Sequence, residues 1–318
     1  MKRVVQVGVA MEFEFIHWLR GRLASHPQLL VGPGDDAAVL RLVQGDVCVL
    51  TTDLLTDGVD FQLENIDPRR VGRKALAVNL SDLAAMAARP VAAVISLALP
   101  RHGGLELAKA LFEGLIPLAQ RYDVAIAGGD TNSWDGRLVI SVTLVGEANP
   151  AGSLLRSGAR AGDVIVVSGQ FGGSILDKHL DFEPRVSEAM WVMEHLRVHA
   201  GIDVSDGLSL DLSRIADGSR CGAVIDADLV PIAPAARELA RQLGDGVTPL
   251  DHALSDGEDF ELILAMPKDD AGELVRRQPL ACGWTAIGEF TSEPGLWITD
   301  AAGVRRRLAP RGFEHSFD

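Results

Sequence analysis

Cysteine, tyrosine and lysine are all scarce in this 318-residue chain, and positive charge is in deficit. The three cysteines, Cys48, Cys221 and Cys282, are far apart and form no C-x-x-C pair, which excludes a disulfide framework and a zinc knuckle. A reducing, cytoplasmic setting is expected. Lys and Arg total 30 against 44 Asp and Glu, a formal net charge of −14, and only five of the cations are lysines. A nucleic-acid or anionic-membrane surface needs a concentrated basic face, so neither partner is expected. The longest largely apolar stretch, about Val91 to Leu99, falls well short of the ~20 residues that span a bilayer. The stretch Val4 to Met11 after Met1-Lys2-Arg3 has no cleavage-like site and reads as a strand. The usual phosphate devices are also absent: no G-x-x-x-x-G-K-[ST], no G-x-G-x-x-G after a strand, and no H-R-D or D-F-G set.

What is present is a 47% hydrophobic chain, long enough for two α/β-sized domains around a substantial core. Short β-branched runs at Val47 to Thr52, Ala92 to Leu99, Val124 to Ala127 and Leu138 to Val145 predict strands. Pro68 to Ala88 and Leu105 to Arg121 predict helices, the first opened by Asp67 as N-cap with Pro68 at the first helical position. The turn-rich stretch 148–162 is the best boundary, giving domains 1–147 and 148–318. Beyond it the pattern repeats: a strand at Val164 to Val167, helices near Ser187 to Val198 and Leu208 to Asp217, and strands near Phe260 to Ala265 and Thr285 to Phe290. The fold class is α/β (α+β).

The acidic residues collect in short turns: Gly34-Asp35-Asp36, Thr51-Thr52-Asp53, Asn79-Leu80-Ser81-Asp82, Gly128-Gly129-Asp130, Asp203-Val204-Ser205-Asp206 and Gly257-Glu258-Asp259. Any one of these could be an ordinary cap or turn; six together are not a solvated surface. Asp53 and Asp130 are expected at the C-terminal ends of strands, where α/β ligand sites lie. Asn79, Ser81 and Asp82 interrupt a sequence that is apolar around most of a helix, so they are either buried polar groups or a capped helix break. Hard oxygen ligands without His or Cys point to Mg²⁺. Mg²⁺ with several carboxylates suggests a triphosphate whose oxygens complete the metal shells. An EF-hand at Asp203 to Gly207 fails because Ser205 and Gly207 take its third and fifth positions. Arg69, Arg70, Arg73 and Lys74 read as either a solvated basic face or phosphate contacts.

In order, Gly32-Pro-Gly-Asp-Asp36, Thr51-Thr-Asp53, Lys74-Ala-Leu-Ala-Val-Asn-Leu-Ser-Asp82, Gly128-Gly-Asp-Thr131, Arg156-Ser-Gly158, Asp203-Val-Ser-Asp206 and Gly257-Glu-Asp-Phe-Glu-Leu262 resemble the thiamine-monophosphate kinases. Their superfamily includes aminoimidazole ribonucleotide synthetase and selenophosphate synthetase. The resemblance implies an aminoimidazole ribonucleotide synthetase-like fold, with an N-terminal domain forming a dimeric β-barrel, a C-terminal α/β sandwich domain, and a homodimer. It implies direct, in-line, Mg²⁺-assisted transfer of the γ-phosphoryl group of ATP to thiamine monophosphate, giving thiamine diphosphate and ADP. Asp36, Thr51, Thr52, Asp53, Asp82, Asp130, Asp203 and Asp206 would hold several Mg²⁺ ions. Gly129, Asp130, Arg156 and Ser205 would contact the nucleotide. Asp60, Glu258 and Pro310 would lie on the acceptor side, Asp60 where the family usually has His and Pro310 where it usually has Trp. No side chain need be a dedicated general base, because the transition state is loose and its charge sits on peripheral oxygens. Two other readings are a related ATP-dependent enzyme acting on a different phosphate or carboxylate acceptor, and a noncatalytic nucleotide-binding protein.

Overall fold

A computed structural model of the chain describes residues 29–31, 38–41 and 47–314. The N-terminal strand expectation and Asp36 lie outside these residues. Strands β1 (Leu29–Val31), β2 (Ala38–Arg41), β3 (Val47–Thr56), β4 (Arg89–Pro100), β5 (Ala125–Trp134) and β6 (Val139–Glu147) form one sheet in the order β1-β2-β3-β6-β4-β5. All neighbours are antiparallel except β4 and β5. A second sheet, in the order β13-β12-β9-β11-β7-β10-β8, contains β7 (Val164–Ser168), β8 (Ala200–Asp203), β9 (Gly222–Asp226), β10 (Leu262–Met266), β11 (Trp284–Thr291), β12 (Gly295–Thr299) and β13 (Arg305–Arg307).

Helix α1 (Pro68–Ala85) packs between the two sheets, against β3 and β6 of the first and β8 of the second. Its start follows from local chemistry: the Asp67 side chain accepts from Arg69 N at 2.9 Å, and Pro68 needs no donor there. It stops where Ala87 enters the left-handed region at φ 51°, with Ala87 N and Ala88 N donating back to Ala84 O and Leu83 O. Between these ends the helix is continuous, so Ser81 and Asp82 mark no break.

Helix α2 (Gly104–Arg121) crosses α1 closely. A Cβ on Gly72 would fall 1.9 Å from Leu111 O, and one on Gly114 1.8 Å from Arg69 O. Only glycine permits this approach from both helices.

The second sheet is apolar on both faces. Val166, Leu262, Leu264 and Met266 join the core that contains α1, whereas Ile165, Val167, Ile263 and Ala265 pack with α5 (Leu208–Ser219) on the other side. The short α3 (Lys178–Asp181) and α4 (Val186–His195) lie against α1, and α8 (Lys268–Arg277) buries Ala271 and Leu274 in the same core, while α7 (Pro249–Ser255) packs with α5 on the other side, α6 (Pro234–Leu243) beside it. No helix among the described residues is long and apolar enough to cross a membrane.

Candidate active site at the junction of the two sheets

The second half of α1 carries Asn79, Ser81 and Asp82 into the space between the sheets. Thr51 Oγ1 in the middle of β3 donates a short hydrogen bond to Asp82 Oδ2. Ser81 Oγ donates to Asp203 Oδ2 at 2.5 Å. Asp203 ends β8, where it pairs with Leu262. One turn of one helix therefore ties a strand of each sheet into a single polar centre, with Ser81 and Asp203 both buried.

Two loops close over this centre. In the first, Asp211 at the start of α5 accepts the backbone N–H groups of Asp206 and Gly207, both at 3.0 Å, which fixes the 204–207 turn. In the second, Glu258 adopts φ 54° and donates its N–H to Ser205 O at 2.7 Å, and Phe260 N donates to Val204 O. A Cβ on Gly257 would lie 2.7 Å from Asp206 O, so the loops touch where no side chain fits. The C-terminal segment arrives at the same turn, Phe313 N donating to Asp206 O at 2.9 Å and Ser209 Oγ to Arg311 O at 2.9 Å.

Asp53 feels this convergence strongly. It lies mid-strand, not at a strand end as expected, because β3 pairs with β6 as far as Thr56. Its Oδ2 is shielded from solvent and has no hydrogen-bond partner. Burial, reinforced by the carboxylates of Asp60 and Asp206, raises its pKa to about 6. A shielded carboxylate oxygen without a donor, facing other carboxylates, suits a hard divalent cation. Thr51, two residues before it on the same face of β3, binds Asp82, and with no His or Cys in the set the donors fit Mg²⁺. Among the described residues no three acids form a ready-made metal cage. Asp206 is meanwhile paired with Arg214 at 2.6 Å, and Arg214 also bonds Asp211.

Three predicted residues stand apart from this centre. The Thr52 side chain is exposed on the other face of β3 and bonds Val142 O and Thr143 Oγ1. Gly129 shares the cross-strand row of Asp53, Val142 and Ile95 but lies three strands away, roughly 14 Å at ordinary strand spacing. Asp130 falls on the next row, with Leu54, Ser141 and Ser96, and so projects from the opposite face of the sheet, where its Oδ1 accepts from Thr131 N. Gly128 to Asp130 are also strand residues of β5, not the turn expected after it. Arg156 belongs to the connecting segment, its carbonyl accepting from Ser219 Oγ, and its charge is felt by Arg214.

Of the residues expected on the acceptor side, Asp60 accepts from Thr56 N at 2.7 Å through its carboxylate, closing the turn after β3. Pro310 is exposed and lines a cleft of about 480 Å³ with Asp217, Leu296 and Arg307. Glu258 is bound to Lys74 Nζ at 2.5 Å. Lys74 is fully buried, so the solvated-face reading fails for it, whereas Arg69 stays exposed and pairs with Asp67 and Glu113. Arg70 pairs with Asp177 and Asp181, and Arg73 donates to Phe182 O at 2.7 Å. Sequence reasoning also missed Glu261, whose buried carboxylate is held below the ordinary range by Arg185 and Lys178, at 2.7 and 2.9 Å, against the opposing effect of burial. Its place in Gly257-Glu-Asp-Phe-Glu261 was the available signal.

Family models for the AIR synthase related protein match this chain, the N-terminal domain over residues 34–148 and the C-terminal domain over 160–300. A thiamine-monophosphate kinase of Rhodopirellula baltica is 44% identical over 313 residues, covering 96% of this chain and 97% of its own. The chain belongs to the thiamine-monophosphate kinase family. The family's relative from Bacillus subtilis is 34% identical, with 96% and 99% of the two chains covered. A solved structure described as AaThiL complexed with AMPPCP and TMP superposes with a TM-score of 0.81 at 27% identity, covering 96% of each chain. The mixed α/β architecture of this chain is consistent with that structure.

Proposed function

We propose that this chain is an ATP-dependent kinase that phosphorylates thiamine monophosphate, releasing thiamine diphosphate and ADP. The observation that carries the reading is the joining of Thr51–Asp82 and Ser81–Asp203 around Asp53 between the two sheets, in a chain similar to one solved with AMPPCP and TMP. Asp53, Asp82, Asp203 and Asp206, with Thr51 and the Asp36 segment, would hold Mg²⁺. Bound Mg²⁺ would neutralise and align the phosphate oxygens of donor and acceptor. Thr52 would contribute through its backbone, since its side chain faces away.

Ser205 and Arg156 would contact the nucleotide near the 204–207 turn. Gly129 and Asp130 would act from β5, apart from the Asp53 group. Glu258, Asp60 and the Pro310 segment would border the acceptor. The chain's own contribution is positioning: Ser81 and Thr51 fix two carboxylates by hydrogen bonds, and Asp211 fixes the loop that carries a third. No general base is required.

The domain division at 147/148 is part of this reading, as is a homodimer with a shared β-barrel. The support for the dimer is β5, an edge strand among the described residues and exposed over its whole length, beside the exposed Val94 of β4. Such an edge calls for a partner strand. A cytoplasmic setting also belongs to the proposal. The test is to incubate the purified chain with ATP, Mg²⁺ and thiamine monophosphate. Thiamine diphosphate stoichiometric with ADP is expected. ADP without thiamine diphosphate would favour a related enzyme with another acceptor.

A further inference from the structure

We infer that Lys74 is a positioning residue that fixes the orientation of Glu258 toward the acceptor, an inference that rests on the assignment of Glu258 to acceptor binding. Lys74 has no solvent exposure. Its ammonium group meets Glu258 Oε1 at 2.5 Å, Asp60 O at 2.9 Å and His179 Nδ1 at 3.1 Å. Three donors thus find three partners, which is what a buried ammonium requires. The partners come from the turn after β3, the 177–183 segment and the loop before β10.

A structural staple between the layers would not need this residue. Arg70 and Arg73 already bind the 177–183 segment from more accessible positions. Lys74 differs in reaching past that segment to Glu258. The backbone of Glu258 is fixed separately, by its left-handed φ and its bond to Ser205 O. The carboxylate's direction is set from the side chains around it, with Lys74 at Oε1 and His179 Nδ1 3.6 Å from Oε2. The Glu258 side chain keeps 20% of its exposure, so a neighbouring ligand can reach it. A carboxylate with one oxygen held by an ammonium suits an acceptor that carries a cationic ring and an anionic phosphate, because it attracts the first without strongly repelling the second.

The experiment measures KM for thiamine monophosphate and for ATP in Lys74→Met, Glu258→Gln and the double variant. Each single change is expected to raise the acceptor KM at least tenfold and leave the ATP KM within twofold. The double variant should be no worse than the weaker single one, because the two side chains act as a unit. If Lys74→Met does not fold, the charge-neutral double variant is compared with Glu258→Gln alone, and equal acceptor KM values support the inference. An acceptor KM unchanged in Lys74→Met, equal rises in both KM values, or effects that multiply in the double variant would overturn it while leaving the kinase reading intact. A wild-type chain that turns over ATP without phosphorylating thiamine monophosphate overturns both.

Discussion

Ser81 on α1 and Asp203 at the end of β8 are 122 residues apart and share a 2.5 Å hydrogen bond in the buried space between the two sheets. That bond connects the helix that bears Asp82 to the strand that leads into the Asp206 turn. It makes the candidate site a property of both sheets together. Ser81→Ala removes a donor to a buried carboxylate, with an expected stability loss of about 2 kcal/mol. Thermal unfolding should show the lower Tm, and Mg²⁺ titration should show weaker binding, since Asp203 is no longer held in place.

Asp53 gives the site a pH signature. Its folded pKa of about 6 lies above the ordinary 3.8, so its contribution to the metal-free protein is full below about pH 4 and is lost as pH rises through 6. Mg²⁺ binds the carboxylate form and should reverse that loss. The Tm gain from saturating Mg²⁺ is therefore expected to grow from pH 5 to pH 7.5. Asp53→Asn should abolish both that growth and turnover. Equal gains at both pH values would remove Asp53 from the metal site.

Some of this was legible in the sequence, and the reasons differ by residue. Asp67 and Pro68 announce the start of α1 because capping is local chemistry. Ser81 and Asp82 stand out because polar groups in an otherwise apolar helix demand partners. Whether they break the helix depends on Thr51 and Asp203, which are distant in sequence, so the tertiary partners decided that question. The end of β3 was misplaced for a similar reason: Asp53 looks terminal until β6 pairs with the chain as far as Thr56. Gly129 looked like a turn residue, yet a Cβ there would sit 1.8 Å from Ile95 O. Its glycine serves the close approach of β5 to β4. The fate of Lys74 could not be read locally, since His179 and Glu258 lie 105 and 184 residues away.

The α1–α2 crossing supports the site from behind. Gly72→Ala or Gly114→Ala places a methyl group against a backbone carbonyl and should cost about 3 kcal/mol through overpacking. Because α1 carries Ser81 and Asp82, kcat should fall along with Tm. A variant with wild-type Tm would show that the helices can separate freely.

Glu261 holds the second sheet's loop through Arg185, Lys178 and Ser168. Breaking such a buried network from one side costs roughly 3–5 kcal/mol, so Glu261→Gln is expected to unfold at markedly lower denaturant. The folded pKa is depressed, so the wild-type contribution is present above the ordinary Glu value and is lost as pH falls through the folded one. Chemical denaturation between pH 3 and 7 should show a shallower acid limb in the variant.

The central claim is that the phosphoryl group passes directly from ATP to the acceptor, with aligned carboxylates and no covalent relay through the protein. A single-turnover experiment tests it most directly, with enzyme in excess over ATP labelled in the γ-phosphate, Mg²⁺ and thiamine monophosphate, and acid quenches along the time course. Label should move from ATP to thiamine diphosphate without ever appearing on the protein. Labelled protein that forms and decays at the rate of turnover, or label released only as inorganic phosphate, would contradict the account.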